Sequence, residues 1–193
     1  MSRVAAVVPA PVRIALLLVL LALGLATGGC GNKEEIRTLG ETEGLYIDVG
    51  PLEYQVQVSR QLNPTDVEDR AYLEGLPASQ RRLGAQETFF GVFMRVQNLK
   101  EDAAEASSDF EIVDTVGRSY RPLALANEYG YRAGVLEPEE IRPDSESTAG
   151  QGPTQGSLLV FKLTYDSLEN RPLELKIKPS GGPEGEGVID LDV

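Results

Sequence analysis

The stretch Glu87–Asn98, ETFFGVFMRVQN, limits the folds open to this chain more than any other. Read with the two-residue period of a strand, Phe90, Val92, Met94 and Val96 share one face. Phe89, Gly91, Phe93 and Arg95 share the other. Both faces are apolar over most of the length, which predicts a central strand. Around it the chain offers further strands. Glu53–Arg60 alternates, placing Tyr54, Val56 and Val58 opposite Gln55, Gln57 and Ser59. Phe110–Asp114 and Ser119–Leu123 read as a hairpin about Thr115-Val116-Gly117-Arg118. Leu158–Tyr165 alternates, with Leu159, Phe161, Leu163 and Tyr165 on one face, and Leu173, Leu175 and Ile177 alternate with Glu174, Lys176 and Lys178. Leu45–Val49 is a short β-rich segment ended by Gly50-Pro51, and Val188–Val193 is read as one further edge strand or a loose end. About seven short strands with almost no helix predict an all-β fold, a two-sheet β-sandwich. Hydrophobic residues make up 41% of the chain, enough for a core, although there is no tryptophan.

The connections are less regular. Asn63–Gln86 is long for a sandwich loop; Asp66–Leu73 inside it has the start signals of a two-turn helix. Arg81-Arg82 is a small basic spot that either docks an anionic partner or sits in a solvated loop. Ala124–Gly156 is irregular and rich in Gly, Pro and Ser. Within it Tyr129, Tyr131 and Arg132 form a candidate binding surface, the plainer reading being tyrosines packed over an open end of the sandwich.

Residue counts exclude several chemistries. The chain has no histidine and one cysteine. A Ser-His-Asp or Cys-His arrangement, a zinc site of the usual Cys/His kind and an internal disulfide are therefore ruled out. The net charge of −12 sets the protein against phosphate backbones, so nucleic acid is not an expected partner. Carboxylates are the abundant reactive groups. Asp109, Glu111 and Asp114 lie along one strand, but no calcium-loop pattern accompanies them, and a solvated outer face accounts for them. No cofactor or metal is expected, nor is enzymatic activity; a carboxylate-based hydrolase is the least favoured reading.

The N-terminal part carries the information on location. Arg3 and Arg13 precede the 13-residue apolar block Ile14–Ala26. A helix of that length covers about 20 Å, short of the roughly 30 Å hydrocarbon core, so the block fits a signal peptide better than a span. Thr27-Gly28-Gly29 then leads into Cys30, the only cysteine. This resembles the bacterial lipobox, with Thr27 where that pattern prefers Leu, Val or Ile. The expected organisation is a signal peptide over residues 1–29, a lipidated Cys30 with a flexible tether through residue 44, the sandwich over 45–178, and a Gly/Pro/acidic tail over 179–193. The protein is then held on the extracytoplasmic side of the cell membrane through lipid on Cys30. Secretion behind an ordinary signal peptide and an uncleaved N-terminal anchor remain open.

The order of motifs resembles a known family. A lipobox leads into an acidic tether. Then follow a central strand ending in Phe93-Met-Arg-Val-Gln-Asn98, the Phe110–Tyr120 hairpin, a Gly-preceded Leu158-Leu-Val-Phe-Lys-Leu163 and a closing Leu173–Ile177. This is similar to the telokin-like, immunoglobulin-like domain of Gram-positive, actinobacterial exported lipoproteins of the immunoprotective extracellular protein type, whose function is unknown. The resemblance covers roughly residues 45–178 and implies a binding or interaction module with a protein partner in the cell envelope. A structural or chaperone-like envelope component with an open edge strand is the alternative.

Overall fold

The computed structural model describes residues 36–181 and 185–191; the apolar leader, Cys30 and residues 31–35 lie outside the described residues. From Ile36 onward the chain is one compact unit with its own core. In chain order it comprises β1 (Leu39–Gly40), β2 (Tyr46–Val49), β3 (Leu52–Leu62), α1 (Val67–Leu73), β4 (Glu87–Gln97), β5 (Ala104–Ala106) and β6 (Asp109–Val113). There follow β7 (Ser119–Tyr120), β8 (Gly134–Leu136), β9 (Ile141–Arg142), α2 (Thr148–Gln151), β10 (Ser157–Thr164), α3 (Tyr165–Glu169), β11 (Leu173–Lys178) and β12 (Gly187–Leu191). Two sheets face each other, one ordered β1-β12-β11-β6-β7 and the other β10-β4-β3-β2, with β5 and β8 as a separate pair. The fold is an all-β sandwich, and seven of the described strands, β2, β3, β4, β6, β10, β11 and β12, have four residues or more.

The expected central strand is central. β4 pairs antiparallel with β3 on one side and β10 on the other. Its Phe90, Val92, Met94 and Val96 enter the main core between the sheets, against Phe110, Ile112, Leu175, Ile177 and Ile189 of the facing sheet. Its Phe89 and Phe93 point outward into a second cluster with Leu62, Tyr72, Leu73, Leu76, Leu158 and Val160. The long Asn63–Gln86 segment supplies that outer cover. Asp66 caps α1 by accepting from the N–H groups of Glu68 and Asp69, and the helix lays Tyr72 edge-on to Phe93 with ring centroids 5.2 Å apart. Burying an aromatic ring this fully contributes about 3–5 kcal/mol against truncation to alanine. The insertion is thus the third layer over a sheet that is apolar on both sides.

Three expectations need correction. First, β3 does not alternate uniformly. Its register against β4 shifts between Val56 and Val58, a β-bulge that takes in Gln57. An extra residue turns the following side chains over. Val58 therefore packs on the outer cluster, and buried Ser59 takes the inner position, donating both N–H and Oγ to the Glu43 carboxylate. Second, the tether is shorter than residues 31–44. Arg37 O accepts from Asp48 N at 2.6 Å, and Thr38 O accepts from Val188 N at 2.8 Å. β1 then pairs parallel with β12, and Gly44 N donates to Val56 O at 2.8 Å. Residues 37–40 therefore stitch one edge of each sheet to the other. Third, the tail is not an edge. β12 sits between β1 and β11, with Ile189 fully buried, so the sandwich runs to Leu191.

The β10 edge of the second sheet is covered as well. Leu123 N donates to Val160 O, Leu158 N to Tyr129 O and Tyr131 N to Leu158 O. β9 continues the line of β10 along β4, pairing Arg142 with Val96 where β10 begins opposite Met94. Gly156, which opens β10, needs its φ of +143° because a Cβ there would lie 2.9 Å from Met94 N.

Candidate binding site

The three residues expected to form a binding surface do not share one. Tyr129 turns to the outer cluster and meets Tyr72 edge-on, centroids 4.8 Å apart. Tyr131 turns to the main core and meets Phe110 at 5.0 Å. Its hydroxyl donates to Ser107 O at 2.9 Å, while Tyr54 Oη accepts from Ser107 N at 2.7 Å. The two phenols thus bond the backbone of one residue, Ser107, from its two sides. Burial, then the neighbouring Tyr54, pushes the Tyr131 phenol far above its ordinary value. Tyr131 is therefore a strut. Its partner is the backbone carbonyl of Ser107, a residue 1% exposed, so solvent is not at hand to replace the bond. Arg132 alone is exposed, its Nη2 donating to Asn127 O at 3.1 Å.

Arg132 lines a hollow of about 290 Å³ beside β9, with Glu128, Glu140, Arg142, Asp144 and Ser147. A wider hollow of about 660 Å³ lies on the other side of the same segment, between Arg95, Glu139, Asp144 and Gln155. Some of their polar groups bind one another. Arg142 Nε donates to Glu140 Oε1 at 2.7 Å, Arg95 Nη2 donates to Gln155 Oε1 at 2.7 Å, and the Glu140 carboxyl is held below its usual range by the Glu137 N–H and Arg142.

A different cavity has an apolar floor and unspent donors. It lies under α1, holds about 300 Å³ and is lined by Pro64, Arg70, Leu73, Glu74, Leu76, Arg81 and Phe89. Arg70, Leu73 and Glu74 stand three and four residues apart, the spacing that puts them on one face of α1. Leu73, Leu76 and Phe89 are buried and form the floor; Arg70, Glu74 and Arg81 are exposed on the rim. Arg81 closes the end of the helix, its Nε donating to Leu76 O at 2.7 Å and its Nη2 to Glu74 O at 2.6 Å. Two of its five N–H donors are thereby used and the fork is held in place. Burial, with the Glu68 carboxylate accepting from its hydroxyl, lifts the Tyr72 phenol behind this helix to about 12. The sequence signals Arg81 as part of a basic pair; Arg70 carries no signal until the period of α1 is known.

The carboxylates do not converge. Among the described residues no group of acids is placed to hold a metal. Asp109 binds Arg121 at 2.6 Å, and buried Asp69 binds Arg60 at 2.7 Å and accepts from Asn63 N. Asp114, also buried, accepts from Arg118 N at 2.8 Å and Val116 N at 3.1 Å, which makes it the cornerstone of the β6–β7 turn. Burial works to raise its carboxyl, but the Arg118 N–H, the Ser167 hydroxyl and the Val116 N–H outweigh that and hold it low. Its expected place on a solvated outer face is thus corrected.

Fold and cavity together define an all-β sandwich with a helical cover on one outer face. Among solved structures, the yjhA protein of Bacillus subtilis is similar over 79% of this chain and 99% of its own, with a TM-score of 0.51 at 14% identity, a likeness of fold alone. Two others align more loosely. A lipoprotein candidate of Bacillus subtilis, ycdA, has a TM-score of 0.48 at 11% identity, over 81% of this chain and 39% of its own. An uncharacterised β-sandwich protein of Clostridium difficile has a TM-score of 0.40 at 11% identity, over 83% of this chain and 99% of its own. No protein-family model and no curated protein sequence matches this chain.

Proposed function

We propose that this protein is an exported, lipid-anchored binding module of the telokin-like, immunoglobulin-like kind, held against the extracytoplasmic face of the membrane. The observation that carries the reading is how soon the fold begins after the lone cysteine. Cys30 follows the apolar block and small residues directly, and Arg37 is already fixed to β2. The chain between them spans at most roughly 25 Å when fully extended. Lipid on Cys30 would therefore keep the β1 end of the sandwich at the headgroups. β3 runs 11 residues away from that end, about 35 Å, to the α1 cavity, which would face outward. The domain binds; it does not catalyse. Its buried acids are spent on its own backbone and arginines, and the chain has no histidine. Covered edges at β2 and β10 weigh against partner capture by strand addition on that sheet.

Fatty-acid labelling of the whole protein in cells, with membrane fractionation, tests the anchor. The unaltered chain is expected to be labelled and membrane-bound, and Cys30→Ser to lose both properties. Label that persists in Cys30→Ser, or unaltered protein that is unlabelled and freely released, overturns it.

A further inference from the structure

We infer that the α1 cavity is a binding site for a small amphiphilic carboxylate, a short apolar body ending in one negative charge. The inference rests on the reading of the domain as a binding module, and is independent of lipid on Cys30.

The walls set the body. Leu73, Leu76 and Phe89 make an apolar floor, Pro64 closes one side, and about 300 Å³ is at the small end of the range for ligand sites. The rim sets the head group. Arg70 and Arg81 stand on opposite sequence flanks of that floor, one on the helix and one in the loop after it. Arg81 cannot swing away, because Leu76 O and Glu74 O hold it, yet three of its N–H donors remain. Arg70 makes no side-chain hydrogen bond or ion pair among the described residues and projects from the same helix face as Leu73. Glu74 is the third charged group on the rim, which leaves it one positive charge in excess. A planar guanidinium fork matches a carboxylate with two parallel hydrogen bonds, which a single-point cation does not.

The surroundings sharpen the inference. The chain carries a net charge of −12, so its general field draws cations and repels anions. Two arginines over an apolar floor are a local reversal of that field. A phosphorylated sugar or nucleotide would put polar surface against Leu73, Leu76 and Phe89, and an alcohol or amine of the same body would leave the forks unpaired.

The test uses three probes with one tail, octanoate, 1-octanol and octylammonium, added to the chain from residue 31, which carries the complete folding unit. Amide resonances of Leu73, Leu76 and Phe89 and the methyl resonances of the two leucines are followed by NMR. Octanoate is expected to shift them saturably, at least about tenfold more tightly than the other two, the size of one charge-assisted hydrogen bond. Arg70→Gln is expected to weaken octanoate about tenfold and to leave the fold intact, since the Arg70 side chain bonds nothing in it, while Arg70→Lys, a single-point cation, recovers only part of the binding. Equal binding of the three probes, preference for octylammonium, an unchanged affinity in Arg70→Gln, or no saturable shift at millimolar octanoate overturns the inference. None of these results bears on fatty-acid labelling of Cys30, so the two readings fail separately.

Discussion

Replacing Tyr131 by phenylalanine separates a strut from a ligand contact. The ring remains, so the edge-on contact with Phe110 at 5.0 Å is kept. What is lost is the hydroxyl that donates to Ser107 O at 2.9 Å, at a residue only 1% exposed. A buried carbonyl left without its donor costs about 1–3 kcal/mol. Tyr54→Phe removes the acceptor of Ser107 N, bonded at 2.7 Å, and costs a similar amount by the same argument. Because both phenols bond the backbone of one residue, the double variant is expected to cost at least about 0.5 kcal/mol less than the sum of the singles. Urea denaturation of the chain from residue 31, followed by circular dichroism, measures all four corners of the cycle. The midpoint should fall with an unchanged slope, since the surface exposed on unfolding is the same. A Tyr131→Phe protein within about 0.5 kcal/mol of the unaltered one would refute the hydroxyl's role as a strut, and a double variant that is simply additive would refute the coupling of the two phenols.

Three further outcomes follow from the same contacts. Asp114 has its folded carboxyl held below its ordinary value, so its contribution is complete above the unfolded value near 4 and is lost as pH falls through the folded one; urea midpoints taken from pH 7 to pH 3 should decline, and decline less in Asp114→Asn, with equal slopes counting against the assignment. Beginning the chain at Glu41 removes the bonds Asp48 N to Arg37 O, Arg37 N to Asp48 Oδ2 and Val188 N to Thr38 O; a loss of about 2–4 kcal/mol and faster self-association through the bared β12 edge should appear in denaturation and light scattering. Gly156→Ala forces a side chain onto φ +143° and against Met94 N, and thermal unfolding should show a loss of about 1–3 kcal/mol.

The parts of the fold visible in the sequence are those that depend on local period. The two apolar faces of β4 announce its central place, and Leu173, Leu175 and Ile177 announce the inward face of β11. What the period does not carry is pairing at a distance. Leu39-Gly40 look like linker because their partner, Val188-Ile189, lies at the other end of the chain. The bulge at Gln57 is likewise invisible, since Val58 fits the alternation until β4 imposes its register. The reason for a long Asn63–Gln86 segment lies in tertiary packing: Phe89 and Phe93 need an outer cover, which its Tyr72, Leu73 and Leu76 supply together with Leu123, Leu125 and Tyr129. For the sites, the aromatic pair Tyr129 and Tyr131 attracts attention by composition, yet their two rings go to different clusters. Arg70 attracts none, because only the turn of α1 brings it to the face that Leu73 occupies.

The stitch made by residues 37–40 also decides how the domain carries load. A pull arriving along the chain from upstream enters through Arg37 and β1, and meets both sheets at once, through Asp48 on one and Val188 on the other. If the opposite end is gripped near α1, the tension runs along the strands, because β3 connects the two ends. Hydrogen bonds loaded along the strand axis resist together instead of parting one after another, as they would if peeled from the side. The attachment point is thus the part of the sandwich whose geometry spreads force most widely, and a tugged domain would keep its far end in shape.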